Sequence, residues 1–293
     1  MGVLGIIGGS GLYDMDGLSD VRAVHVESPF GSPSDKIVRG RLGDLELAFL
    51  PRHGVGHRLS PTGINYRANI DCLKRLGVTD ILSLSACGSL REDMAPGDFV
   101  LVDQFIDRSR ARPLSFFENG LVAHVSMAEP TCSRLRQKVA VAAKALGIPL
   151  HEKGTYLVME GPQFSTRAES HLYRQWGADL IGMTNMPEAR LAREAEICYL
   201  TVGMVTDYDC WREGEAHVDV SAVLEILVNN AKTAQKLVAD TAPLIMEERS
   251  ETCEAGCDRA LEMAIVTHPD KRDAALMDRL DAVAGRVLGR AAQ

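Results

Sequence analysis

The chain lacks any apolar run approaching the roughly 18–20 residues that a helix needs to cross a bilayer, so a membrane-spanning protein is excluded. It also lacks a basic surplus: 32 Lys and Arg stand against 40 Asp and Glu, for a net charge of −8. Proteins that track a phosphate backbone carry excess positive charge, so nucleic acid is not an expected partner. A small anion remains possible, because a pocket can be locally positive inside an acidic protein. No internal repeat and no Gly/Ser- or Pro-rich linker divides the chain. The opening MGVLGIIGGSG has no basic flank and runs straight into glycines, so it reads as a first strand and not as a secretory signal. Cysteine is sparse and unpatterned. Seven scattered thiols, an odd number, argue for reduced cysteines in the cytoplasm. Cys253 and Cys257 share a helical face, as a disulfide or half of a metal site would, but no His/Cys pair nearby in the sequence completes a zinc pattern. The expectation is two unpaired thiols and no metal.

What is present is ordinary globular composition, 46% hydrophobic and 25% charged over 293 residues, enough to bury a substantial core. Strand-length apolar runs occur at 3–9, 45–50, 78–86, 98–106, 154–160, 178–183 and 197–207. Helix-like stretches lie between them at 61–76, 131–146, 166–176, 187–196 and 220–240. Val/Ile/Leu-rich strands alternating with helices indicate an α/β fold around a mainly parallel central sheet. Residues 1–245 read as one domain. Residues 246–293 read as a C-terminal helical appendage that could pack on the body, pack on a neighbouring subunit, or be loosely held.

Open α/β sheets bind ligands beyond the carboxyl ends of their strands, so the polar residues after each apolar run are the candidates. Gly8-Gly9-Ser10-Gly11 follows the first run, Arg52-His53 the second, and Ser85-Ala86 the third. Phe164-Ser165 follows 154–160, Thr184 follows 178–183, and Thr206-Asp207-Tyr208-Asp209 closes the last run. The glycine turn lacks the G-x-G-x-x-G spacing of a dinucleotide site, since Asp14 stands three after Gly11, and no Walker Gly-Lys-Ser/Thr follows. A Rossmann dehydrogenase is therefore a weak alternative. The turn can still offer N–H groups and a hydroxyl to one phosphate, or be a plain tight turn. An arginine fork suits a bidentate contact with an oxyanion. Several strand ends offering anion-binding groups weigh more than any one alone. Asp207 and Asp209, two apart, can point the same way. They read as a helix cap, a metal site or a pair that reads a base edge: an ionised Asp accepts from an exocyclic amine, a protonated one donates to a ring nitrogen.

These motifs together (GIIGGSGLYD, PRHGVGH, ACGSLREDMAPGD, RPLSF, EGPQFSTRAES, GMTNMPEARLAREA and TDYDCW) resemble the S-methyl-5′-thioadenosine phosphorylase branch of the purine nucleoside phosphorylase family, in co-linear order over roughly residues 3–240. The resemblance implies one α/β domain with a mixed, partly barrel-like sheet flanked by helices, assembled as a homotrimer or a dimer of trimers. It implies cleavage of 5′-methylthioadenosine by inorganic phosphate, a co-substrate, to adenine and 5-methylthioribose 1-phosphate, with no organic cofactor and no metal. By position it implies that Ser10, Arg52, His53, Ser85, Ala86 and Thr184 hold phosphate. Met183 would lie under the ribose, with Phe164 and Ser165 near sugar and base. Asp207 and Asp209 would face the N7/N6 edge, Asp207 as general acid. Val220, Val223 and Leu224 would wall the methylthio group, and His124 would reach a neighbouring subunit's pocket. Gly182 stands where close relatives often carry Asn. The alternatives are a phosphorylase preferring 6-oxopurines, a nucleoside hydrolase, and a non-catalytic nucleoside binder. Phosphate dependence, substrate comparison and base release separate them.

Overall fold

The first apolar run folds as β1 (Val3–Gly8), buried along its whole length. Its side chains alternate between two cores, Leu4 and Ile6 into one and Val3 and Ile7 into the other, as period-2 geometry requires of a strand covered on both faces. A computed structural model describes residues 2–9, 11–12, 14–212, 220–247 and 253–289, with only the backbone for 220–224 and 247. β1 pairs in parallel with β4 (Leu45–Pro51) on one side and β5 (Val78–Ser89) on the other. Beyond β4 the sheet continues antiparallel through β3 (Ile37–Leu42) to β2 (Leu18–Val24).

β5 is the branch point. It pairs in parallel with β11 (Cys198–Asp207), and its last residues turn to β10 (Leu180–Gly182). From β10 the sheet runs to β9 (Thr155–Val158) and β7 (Gln104–Asp107), and from β11 to β6 (Phe99–Leu101) and β8 (Leu150–His151). Six of these ten pairings are parallel. The architecture is the expected α/β domain with a mixed, mainly parallel sheet flanked by helices. α1 (Tyr66–Arg75) and α4 (Asn185–Glu194) cover one face. α2 (Ser133–Ala145) and α5 (Val220–Glu247) cover the other. α3 (Arg167–Gln175) is capped by a reciprocal Thr166–Glu169 box.

The structure departs from the sequence reading in three strands and one boundary. β2 and β3 were not anticipated, because neither has a buried face of period two: LSDVRAV is exposed at its five central residues, and IVRGRL buries only Ile37 and Gly40. β8 is too short to carry a period. The run 98–106 is split into β6 and β7, which pair with different strands.

The tail packs on the body. α6 (Ala274–Arg279), α7 (Asp281–Leu288) and the Leu280 that joins them contribute Leu276, Val283 and Leu280 itself to the core shared with α1 and α4. Arg75 of α1 binds Asp281 through both terminal nitrogens, at 2.5 and 3.1 Å, and Arg286 binds Glu196 at 2.7 and 2.8 Å. Cys253 and Cys257 enter the other core, where they meet Cys132 and Cys198. Leu280→Ala removes a fully buried side chain from this junction and should lower the unfolding free energy by about 2–5 kcal/mol in urea titration at fixed protein concentration. A loosely held tail would leave the midpoint unmoved.

Candidate active site

The carboxyl ends of β1, β4, β5, β10 and β11 open into one cavity of about 530 Å³. Arg52, His53, Ser85, Ala86, Thr184, Phe164, Met183, Asp207 and Asp209 all line it, so these scattered candidates meet in one place. Ser10 and the side chains of Val220, Val223 and Leu224 lie outside the described residues. Ser165 is not a lining residue; its hydroxyl points to the sulfur of Met159, which is one. His124 lies away from the cavity, exposed, with its amide bonded to the Ala264 carbonyl.

Arg52 follows β4 and is 4% exposed. Its Nε and Nη2 grip Glu188 of α4 at 2.9 and 3.2 Å, Nη2 also meets Ser83 Oγ, and Nη1 donates to the Leu84 carbonyl at 3.0 Å. The two-pronged contact expected with an oxyanion is thus taken by a carboxylate of the same chain. Of five guanidinium N–H groups, one on Nη1 is left for a ligand. Glu188 also accepts from Tyr199 and Ser83, and Asn185 ties Ser83 to Thr201. Burial alone would lower the basicity of Arg52, but the charge of Glu188 outweighs it and holds the guanidinium above its usual range.

His53 is pushed down to about 4, first by burial and then by the charge of Arg52 and the nearby His57, against the opposing bond to Leu59. Its Nδ1 faces the Leu59 carbonyl at 2.8 Å, which fixes the proton there and leaves Nε2 as an acceptor. The His57 ring stacks on it at 4.0 Å and 10°. Ser85 Oγ lies 3.3 Å from the Tyr156 hydroxyl, and Thr184 caps α4 without spending its hydroxyl on the cap.

At the other end stand the aspartates. Asp209 has a left-handed backbone, φ 52°, and its amide donates to Asp207 Oδ1 at 2.8 Å. Burial, reinforced by Asp207 and opposed by the nearby Ser170 and Ser165 hydroxyls, raises the pKa of Asp209, and its Oδ2 is buried without a close hydrogen bond among the described residues. Thr206 Oγ1 lies 2.7 Å from Asp207 Oδ2 and 3.2 Å from the Cys87 carbonyl. Its single proton serves one of them. If the carbonyl takes it, Asp207 carries a proton and donates to Thr206. A Cβ on Gly88 would stand 3.0 Å from Asp207 Oδ1, so the glycine leaves the room that the carboxyl occupies.

Several residues escaped the sequence reading. Arg112 donates to the carbonyls of Met183 and Met186 at 2.6 and 2.7 Å and of Glu160 at 2.8 Å, and so sets the Met183–Thr184 wall. Glu188, Ser83 and Tyr199 gave no local sign, because their partner lies far away in sequence. Leu227 of α5 lines the cavity. It falls three and seven residues after Leu224 and Val220, so the helical period would have found it. Gly182 has a physical reason: a Cβ there would sit 1.7 Å from the Tyr156 hydroxyl oxygen, so the phenol occupies the space a side chain would need.

A match to the phosphorylase superfamily model covers residues 3–242, and the chain belongs to that family. A curated relative, the S-methyl-5′-thioadenosine phosphorylase of Cereibacter sphaeroides, is 61% identical, covering 98% of each chain. A methylthioadenosine phosphorylase from an antarctic soil metagenomic library superposes with TM-score 0.91 at 48% identity, covering 96% of this chain and 98% of that one. The methylthioadenosine phosphorylase of Schistosoma mansoni, solved with adenine, gives 0.79 at 40% identity over 85% and 93%. The family match ends at residue 242, but the alignment to the Cereibacter protein runs over 286 residues and so takes in most of the tail.

Two outcomes follow. Glu188→Gln leaves a buried Arg52 without its counter-charge and should cost about 3–5 kcal/mol of stability in denaturant titration. In the ligand-free protein, nitrogen-detected NMR should find the His53 ring neutral, Nδ1-protonated, from pH 8 down past pH 5, with protonation only near about 4. Because the unfolded chain takes this proton first, near pH 6.5, the contribution of His53 to stability is complete above that value. It is lost as pH falls through the window to about 4. A ring that titrates near 6.5 in the folded protein contradicts both statements.

Proposed function

We propose that this chain catalyses phosphorolysis of 5′-methylthioadenosine, giving adenine and 5-methylthioribose 1-phosphate. One observation carries the reading. Ser85, at the anion-binding end, and Gly88, against Asp207, stand three residues apart on β5. Strand geometry therefore separates the two ends by about 10 Å, room for one pentose between an oxyanion and a purine.

Phosphate sits against the remaining Nη1–H of Arg52, the hydroxyls of Ser10, Ser85 and Thr184, and the backbone at Ala86. The bare Nε2 of His53 accepts from a protonated phosphate oxygen, which selects an ion still carrying a hydrogen. Met183 and Phe164 flank the sugar, with Ser165 behind through Met159. The glycosidic bond loosens ahead of attack, so the sugar gains oxocarbenium character and the purine gains negative charge. The 6-amino group donates to Asp209 and so favours its carboxylate against the burial that raises its pKa in the ligand-free site, while Asp207 donates a proton toward N7. Phosphate, held in line on the opposite face, stabilises the sugar cation and attacks C1′. Val220, Val223, Leu224 and Leu227 form an apolar wall for the methylthio group, which has no proton to donate. His124 completes the same pocket of a neighbouring copy in a homotrimer. No organic cofactor enters these steps, and no metal takes part in them.

The described helices include none long and apolar enough to cross a membrane. Seven free cysteines support a reducing, cytoplasmic setting. Adenine release from methylthioadenosine should require phosphate, and the inosine analogue should be a poor substrate, because its 6-oxo acceptor faces a carboxylate. Release without phosphate would mean a hydrolase. Asp207→Asn should lower kcat by about 10²-fold or more with little change in KM. A change confined to KM would remove the general acid. Replacing Asp207 with Asn and Asp209 with Ala together should erode the 6-amino preference.

A further inference from the structure

We propose that Cys132, Cys198, Cys253 and Cys257 form a tetrathiolate site for a structural zinc ion that fastens the C-terminal segment to the phosphorylase body.

The four cysteines come from three distant parts of the chain. Cys132 is the N-cap of α2, Cys198 opens β11, and Cys253 and Cys257 belong to the tail. All four are buried, and their sulfurs lie within 4.8 Å of one another. A zinc–thiolate bond of about 2.3 Å in a regular tetrahedron sets adjacent sulfurs about 3.8 Å apart. Cys132 Sγ and Cys253 Sγ are 3.8 Å apart. That spacing is nearly twice a disulfide bond of about 2.05 Å, and four mutually close sulfurs exceed what pairwise bridging requires.

The local backbone presents the sulfurs. Cys253 and Cys257 bracket a turn in which the Gly256 amide bonds the Cys253 carbonyl at 2.8 Å, and Gly256 takes φ 69°, a left-handed conformation suited to glycine. Asp258 fixes the same turn by accepting from the Cys253 amide at 2.7 Å. Cys132 is fixed to β11 by its amide bond to the Tyr199 carbonyl at 2.8 Å, next to Cys198. Helix α2 adds the positive end of its dipole at Cys132, which favours a thiolate. Four thiolates with no open position and no carboxylate are the donor set of a closed structural zinc site, not of a catalytic one. Binding forms four Zn–S bonds, and the thiol protons pass to solvent. Cys198 stands at the opposite end of β11 from Asp207, so the ion holds the fold and takes no part in phosphorolysis.

The test uses the full-length protein expressed with added zinc and desalted. Elemental analysis should find about one zinc per chain, released on titration of the thiols with a mercurial and read with a chromogenic chelator. Replacement by Co(II) should give the visible bands and near-ultraviolet charge-transfer absorption of a tetrahedral tetrathiolate. Cys253→Ser with Cys257→Ser should abolish zinc retention and lower the thermal midpoint, while Cys72→Ala keeps the metal. If the double variant fails to fold, the mercurial and cobalt measurements on the native chain still decide. The proposal is overturned by native protein that holds neither zinc nor Co(II), by iron in place of zinc, or by a non-reducing mass spectrum showing cystines among these four.

Discussion

A buried charge must be answered inside the protein, and the pairing of Arg52 with Glu188 is where the rest of the site begins. The arginine follows β4 and the glutamate lies on α4, with Ser83 from β5 and Tyr199 from β11 closing the contact. Four elements are registered by a single salt bridge between side chains 4% and 2% exposed. Such a pair returns little net stability once desolvation is counted, but it leaves few other arrangements open, because any slip strands a charge. The cationic end of the cavity is therefore held before a ligand arrives, and the ligand meets only what the pair leaves over.

The opposite end works by deprivation. Asp209 buries a carboxylate oxygen that makes no close hydrogen bond among the described residues, beside a second acid. Burial beside that acid raises the pKa of Asp209 above that of an exposed aspartate. β5 runs past both ends, with Ser85 at one and Gly88 against Asp207 at the other, so the backbone of one strand spans the distance between them.

Much of the site was legible because parallel sheets impose an order: each apolar run ends at the ligand side, and the first polar residues after it are candidates. Arg52, Ser85, Thr184, Asp207 and Asp209 all follow that rule. The rule is silent about what supports them. Glu188 sits in a helix where a glutamate ordinarily faces solvent, and only its partner 136 residues away reveals its burial. Arg112 and the four-sulfur cluster are hidden for the same reason, since contact between distant segments has no local signature. β2 and β3 bury too little for any alternation to show, since they form the outer edge of the sheet. The tail was legible in part: 246–293 reads as helical, but a helical period does not say which surface covers it, and packing on the body was one of three open options.

Tyr156 and Gly182 occupy one volume between them, the phenol oxygen standing where a methyl group would be. The constraint runs one way: the ring at 156 can be lost while the glycine stays, but a side chain at 182 has no room until the phenol moves or goes. Of the two positions, the smaller is locked by the larger.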